Sequence, residues 1–321
     1  MAKPVFACAV STHARAALGR SRSYTAGIAG REDGYLITDL CYRWKRYSTP
    51  PADAIVVHNT REIADRATAM LPLPDPVFIR DEIMRLAELL AEACDDDFVE
   101  PRRLTETLSN VLDTLQCRER SANEPNFDEE PDPSVHTTAH AKGLPLGELG
   151  DHAVDLLAQL ADTARRIQLA EEADALDALL LPLACCVARA GGELTRISPV
   201  VNAAAAMANT LWEPNDITSL FRMIDEVFHA VSPKISDAAA GTEDARIWRV
   251  LVINRAIMAT RTHRPALMET AFDSLIEHAT DDAAAFFREG MGQMDALDYP
   301  AAVRIVMQRY HDAWSTRRRL H

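Results

Sequence analysis

The sequence predicts a mainly α-helical protein, organised as a helical-repeat array of the α-solenoid or HEAT-like type or as an irregular helical bundle, with a small and less regular N-terminal segment. Three observations support this prediction. Alanine is abundant and aromatic residues make up only 6% of the 321 residues, which favours closely packed helices. Apolar residues keep helical spacing over most of the chain from Pro76 onward. One stretch also recurs further along the chain.

Residues 1–75 form the less regular segment. Its short apolar runs are bounded by Gly, Pro or Asp, and they predict either short strands or an irregular lead-in: PVFACAV, GYLITDLCYRW and DAIVVH. The pattern changes to helix at Pro76. Two successive apolar stripes then predict a helical hairpin over residues 76–117: Ile79, Ile83, Leu86, Leu89 and Leu90, followed by Leu104, Leu108, Val111, Leu112 and Leu115.

Residues 118–147 interrupt the helical pattern. They contain four prolines and an acidic run at Asp128–Asp132, so little apolar surface is left to bury. This composition predicts an acidic, proline-rich linker or a long surface loop. From Glu148 to Trp314 the helical spacing is nearly continuous, and we interpret residues 148–321 as a helical-repeat domain.

The repeat prediction comes from residues 201–230, which align without gaps with residues 252–281. Seven of the thirty aligned positions are identical, including the proline pair Pro214/Pro265. The pattern of each unit predicts a helix, a short turn and a second helix that starts near the proline. Proline is tolerated at the first position of a helix because a backbone N–H at that position has no acceptor within the helix. Helix pairs of this kind stack to cover one another's apolar faces. Chance similarity between two alanine-rich amphipathic helices is the alternative.

The charge distribution disfavours some classes of partner. The formal net charge is -14, and a surface this acidic repels nucleic-acid phosphates and anionic lipid. Residues 1–60 are the exception, with eight Lys/Arg against four Asp/Glu. No apolar run approaches the roughly 20 residues of a membrane span. The six cysteines show neither metal-type nor disulfide-type spacing, which predicts a reducing, cytoplasmic location.

One pair of residues is a weak candidate for a metal-binding site. Glu226 and His229 share a helix face at the i, i+3 spacing that di-iron carboxylate bundles use. No second copy of this pair is present in the sequence, and a histidine that interacts with the negative end of its helix is the simpler interpretation. Phosphate-loop, dinucleotide-binding, nucleophile-elbow and zinc-ligand motifs are also missing from the sequence, so it predicts no cofactor and no catalytic residue.

Two places carry candidate partner-binding residues. The segment YRWKRY interleaves aromatic and cationic side chains, namely Tyr42, Arg43, Trp44, Lys45 and Arg46 with Tyr47. Such a segment can bind an acidic partner or stack on nucleic-acid bases. The alternative interpretation is that it packs on the acidic helices of this same chain. The two aligned turns carry Trp212 and His263, each two residues before its proline. Trp212 either packs back over its helices or stands out and anchors a partner.

Residues 212–216 read WEPND, which in part resembles the E-P-x-D-H signature of helical maturation chaperones for molybdoenzymes. Ile217 stands where that signature has histidine, and the likeness does not extend along the rest of the chain. This partial resemblance keeps a chaperone-like role open. The aligned helix pairs, the acidic composition and the missing catalytic motifs predict a non-catalytic, protein-binding adaptor, scaffold or assembly factor whose partner is another protein. A helical enzyme with a metal or small-molecule site between helices, at Glu226 and His229, is the alternative.

Overall fold

The computed structural model describes residues 71, 74–93, 100–123 and 145–317, and these residues contain helices and connecting turns but no β-strand. The prediction of a mainly α-helical protein is confirmed for this part of the chain. The helices in chain order are α1 (Pro76–Ala93), α2 (Glu100–Asn123), α3 (Leu146–Arg166), α4 (Ala170–Ala178), α5 (Leu180–Arg189), α6 (Ile197–Thr210), α7 (Pro214–Ala230), α8 (Pro233–Ser236), α9 (Glu243–Arg261), α10 (Pro265–His278), α11 (Thr280–Ala296) and α12 (Ala301–Arg317).

The first two helices pack against each other, and local sequence explains how α1 begins. The side chain of Asp75 accepts a hydrogen bond of 2.8 Å from the backbone N–H of Val77, and Pro76 is the first helical residue. An acidic cap followed by proline is a strong start signal for a helix. Ile79 and Ile83 are buried as the apolar stripe predicts, but Leu89 is exposed.

The boundaries of the predicted linker need correction. Helix α2 continues to Asn123, six residues beyond the predicted end of the hairpin, and α3 already begins at Leu146. The six added residues read RERSAN, mostly good helix formers, and the helix ends shortly before Pro125, whose ring disfavours helical backbone in the preceding residue. Residues 124–144 lie outside the described residues, so the linker interpretation of that stretch stays a prediction.

Helix α5 is central to the N-terminal half of the described structure. Its residues 180–187 are all buried, including Cys185 and Cys186. It packs against α1, α2, α3, α4, α6 and α7, so its side chains need apolar character around the whole helix. A helix with neighbours on every side is typical of a bundle, whereas each unit of a solenoid contacts only its sequence neighbours.

Helix α9 has the corresponding position in the C-terminal half. Residues 251–260 are all buried, and α9 packs against α6, α7, α8 and α10. Beyond it, α10, α11 and α12 pack together around four aromatic rings whose centroids lie 5.2–5.5 Å apart: Phe272, Phe286, Phe287 and Tyr310. None of the described helices is both long enough and apolar enough to span a bilayer.

The two aligned segments form helix–turn–helix units, as predicted. Pro214 is the first residue of α7 and Pro265 is the first residue of α10. The packing of the two units differs, because α10 packs closely along α9 while α7 packs more on α5 and α9 than on its own partner α6. A helical-repeat solenoid is therefore not confirmed, and the described chain is a helical fold with helices packed on several sides of α5 and α9.

Candidate functional site

Trp212 lies in the turn that joins α6 to α7, and it is 41% exposed. The residue before it, Leu211, has extended backbone (φ -94°, ψ 139°) and is buried. The residue after it, Glu213, is exposed and precedes the first helical residue, Pro214. The turn thus buries one apolar residue and leaves a large part of the indole in contact with solvent.

Arg261, the last residue of α9, contacts this turn from the neighbouring unit. Its Nη1 donates a hydrogen bond of 2.7 Å to the carbonyl oxygen of Ala208, and its Nη2 donates one of 2.6 Å to that of Leu211. Carbonyl groups at a helix C-terminus have no donor within their own helix, and α6 has no basic residue in its last turn. Arg261 therefore caps α6 from another helix. Burial lowers the pKa of this guanidinium, and nearby Tyr299 partly opposes that effect.

His263 lies in the turn between α9 and α10, with a φ of 57°. This left-handed conformation is uncommon for residues other than glycine, but histidine adopts it more readily than most. The ring of His263 meets the ring of Tyr299 edge to face, with centroids 5.3 Å apart at 73°. His263 is exposed, but partial desolvation of its ring lowers its pKa, which favours the neutral imidazole.

We call Trp212, Arg261, His263 and Tyr299 the turn cluster. Arg261 connects the α6–α7 turn to the end of α9, and the contact between His263 and Tyr299 connects the α9–α10 turn to the loop between α11 and α12. The turns that carry the two predicted residues are thus linked through one guanidinium. Their backbones differ, because the residue after α6 is extended while the residue after α9 is still helical.

The other predicted residues do not join this cluster. Tyr42, Arg43, Trp44, Lys45 and Arg46 lie outside the described residues. Within the described part of the chain, no group of three or more His, Cys, Asp or Glu side chains is arranged to hold a metal ion.

The metal candidates Glu226 and His229 have separate partners. Both carboxylate oxygens of Glu226 accept hydrogen bonds from Arg189, at 2.8 and 3.0 Å, so the carboxylate is engaged by a guanidinium of α5. Nδ1 of His229 lies 2.7 Å from the carbonyl oxygen of Asp225, one turn earlier in α7. His229 is in the last turn of α7, where a protonated imidazole also interacts favourably with the helix dipole.

A buried cationic group lies between α7 and α9. Nε of Arg255 donates a hydrogen bond of 2.7 Å to Oδ1 of Asp225, and its guanidinium carbon lies 4.4 Å from the ring centroid of Phe228. Trp248 stacks on Phe228 with centroids 4.9 Å apart. Trp248 Nε1 is buried and has no hydrogen-bond acceptor among the described residues. This arrangement joins the two helices through one ion pair and one aromatic stack.

Sequence reasoning found Trp212 and His263 but missed Arg261, Tyr299 and Arg255. An arginine in the last turn of a predicted helix is a known capping signal, so Arg261 could have been suspected, although its target in α6 could not. Nothing in the local sequence marks Tyr299 or Arg255, because the partners described above lie 27 or more residues away.

The WEPND segment forms the α6–α7 turn and the first residues of α7, and Ile217 is fully buried in the core. Comparison of the chain with protein-family models, with curated proteins and with solved structures gives no match.

Proposed function

We propose that this chain is a non-catalytic, protein-binding helical module that acts as an adaptor, scaffold or assembly factor. The observation that carries the proposal is the exposure of Trp212 in a turn whose backbone is fixed by Arg261. Tryptophan is enriched among the few interface residues that supply most of the binding energy. A partner can still cover the exposed 41% of Trp212, whose indole combines a large apolar area with an N–H donor.

The turn cluster also lowers the cost of binding. Ordering a mobile loop opposes association, so a turn that is already hydrogen-bonded to a neighbouring helix loses less entropy when a partner binds. The guanidinium of Arg261 is held by two carbonyl oxygens, and the ring of Tyr299 supports His263. These contacts favour a preformed binding edge with Trp212 as its anchor.

Under this proposal, α6–α7 and α9–α10 are two copies of one helix-pair unit. Support comes from the aligned sequences and from the two prolines, which begin α7 and α10 at equivalent positions. Divergence of the two turns would then have given one copy its tryptophan and the other its histidine.

The acidic composition supports a protein partner and disfavours nucleic acid. Cys185 and Cys186 are buried thiols, in keeping with a reducing compartment, and the proposed location is cytoplasmic. The alternative of a metal or small-molecule enzyme at Glu226 and His229 has less support, because Arg189 engages both oxygens of the carboxylate.

The test compares Trp212→Ala with Ile305→Ala in the purified full-length chain. Ile305 is an exposed apolar residue of α12 outside the turn cluster, so its truncation is the matched control. Partners captured by the unmodified chain from its native cell would be identified by mass spectrometry, purified and titrated by calorimetry. We expect Trp212→Ala to weaken binding about tenfold or more while Ile305→Ala changes it less than about twofold.

Thermal unfolding of the same variants separates binding from packing. We expect Trp212→Ala to leave the melting temperature nearly unchanged. Truncating a fully packed tryptophan costs roughly 3–5 kcal/mol, so a loss of that size would show that Trp212 stabilises the fold instead. Unchanged affinity of Trp212→Ala for the purified partner would contradict the proposal.

A further inference from the structure

The hairpin of α1 and α2 has a groove on its surface, distant in sequence from the turn cluster. The groove has a volume of about 610 Å³ and is lined by residues 84–92 of α1 and residues 102–110 of α2. On each helix the lining residues follow the spacing i, i+3, i+4, i+7 and i+8, which defines one continuous helix face. Two such faces lie side by side here, and volumes of this size are typical of ligand pockets.

Small side chains create the groove. Ala87 and Ala91 contribute from α1, and Thr105 and Ser109 contribute from α2. Each is one turn from the next on its helix, so the small residues run along the two helices rather than forming an isolated pit. A groove bottom made of small side chains leaves room for the side chains of a helix or extended segment that lies along the hairpin.

The exposed part of the groove is both apolar and acidic. Met84 lines one end of the groove and is 43% exposed, so the groove presents a large apolar side chain to solvent. The carboxylates of Glu88, Glu92 and Glu106 also line the groove, together with the guanidinium of Arg102. None of these three forms an ion pair with another described residue, whereas Arg85 of α1 is engaged by Glu82 at 2.5 Å.

The charge of the lining residues indicates what the groove can bind. The ten lining residues include three Glu and one Arg, a net charge of -2. A second copy of α1 would bring its own Glu88 and Glu92 against the same residues, and like charges in contact disfavour that pairing. A cationic segment of a partner would neutralise the carboxylates, and its apolar side chains would cover Met84 and the small side chains at the bottom of the groove.

We propose that the α1–α2 groove binds a positively charged amphipathic helix of a partner protein. Its apolar face lies on Met84, Ala87 and Ala91, and its Lys or Arg side chains pair with Glu88, Glu92 and Glu106. This is helix-in-groove recognition, in which apolar anchors give affinity and flanking charges select the partner. The surface is separate from the turn cluster, so this proposal and the function proposed for Trp212 stand or fall independently.

The test uses a fluorescent model peptide of about 18 residues, the length of α1, with leucine at helical spacing and lysine elsewhere. Its binding to the full chain is measured by anisotropy at about 0.15 M salt, where distant surface charges are screened. The variants are Glu88→Lys/Glu92→Lys, the uncharged groove-filling Ala91→Phe, and the control Glu277→Lys/Glu289→Lys, which reverses two exposed carboxylates outside the groove.

We expect saturable binding that both groove variants weaken about tenfold or more and that the control changes less than about twofold. Circular dichroism establishes that each variant is folded. No saturable binding, equal weakening by the control, or equal binding of a peptide with glutamate in place of lysine would each overturn the proposal. Self-association of the chain that Glu88→Lys/Glu92→Lys abolishes would identify a second copy as the occupant and would also overturn it.

Discussion

The guanidinium of Arg255 is buried against the carboxylate of Asp225. Arg255 is 1% exposed, and its Nε and Nη2 lie 2.7 and 2.5 Å from Oδ1 of Asp225. The ring of Phe228 covers the guanidinium carbon at 4.4 Å from the ring centroid. The ring of Phe221 lies on the guanidinium as well, with its centroid 5.6 Å away. One carboxylate and two aromatic rings therefore compensate a charge that would otherwise be costly to remove from water.

Asp225→Asn is expected to destabilise the protein. The amide keeps the shape of the carboxylate but leaves the buried charge of Arg255 without its counter-ion. Breaking a fully buried pair costs about 3–5 kcal/mol, and because Asp225 is partly exposed we expect about 2–4 kcal/mol. Urea denaturation measures the loss. The double variant Asp225→Asn/Arg255→Met, which removes the stranded charge, is expected to recover a large part of it; a double variant as unstable as Asp225→Asn would contradict this explanation.

The helices could be predicted because their signals are local. The apolar spacing of Ile79, Ile83 and Leu86 indicates a buried face that the structure contains. Pro214 and Pro265 begin helices because the ring of proline favours the first helical position. Helix α2 extends beyond residue 117, where the sequence predicts its end, because the acidic, proline-rich composition begins only near Pro125.

The candidate site could be predicted only in part because its contacts join distant segments. Trp212 was recognisable as a large aromatic residue in a polar turn. The bonds from Arg261 to the C-terminus of α6 span 50 and 53 residues, and no spacing rule relates residues that far apart. Leu89 shows the same limit, because periodicity assigns it to an apolar face but cannot tell whether a neighbouring helix covers that face.

Arg261→Ala is expected to lower stability through loss of the cap on α6. Two carbonyl oxygens lose a charged donor, and a hydrogen bond to a charged group stabilises a protein by about 1.5–3 kcal/mol. Water can replace part of the lost hydrogen bonding at these carbonyl oxygens. We therefore expect the free energy of unfolding to fall by about 1–3 kcal/mol in total, as measured by thermal unfolding. Arg264→Ala is the control, because Arg264 is exposed in the following turn. Equal effects of the two variants would show that the cap contributes little.

The stability of the protein is expected to depend on His263 at mildly acidic pH. Partial desolvation of the ring lowers its pKa in the folded state below the ordinary value of 6.5, so the unfolded chain binds the proton more readily. Stability is unaffected by this residue well above pH 6.5 and decreases as the pH falls below it. His263→Asn also tolerates the left-handed backbone and does not titrate. The wild-type chain should therefore lose more stability than His263→Asn between neutral and mildly acidic pH, as measured by urea denaturation; parallel pH curves would contradict the assignment.

Two glycines inside helices should respond in opposite directions to alanine. A Cβ at Gly150 of α3 would lie 2.5 Å from Cγ1 of Val187, in the buried helix α5, whereas a Cβ at Gly292 of α11 would meet no atom within 4 Å. Both substitutions gain helix propensity, worth about 0.5–1 kcal/mol.

At Gly292 this gain is unopposed, so Gly292→Ala should raise the melting temperature. At Gly150 the new methyl group forces α3 away from α5, and overpacking of this kind costs about 1–3 kcal/mol, which exceeds the gain. Gly150→Ala should therefore lower the melting temperature, and adding Val187→Ala should reduce the penalty of the glycine substitution in a double-mutant cycle. If Gly150→Ala stabilised the chain as Gly292→Ala is expected to, α3 and α5 could not be in the close contact that fixes the centre of this fold.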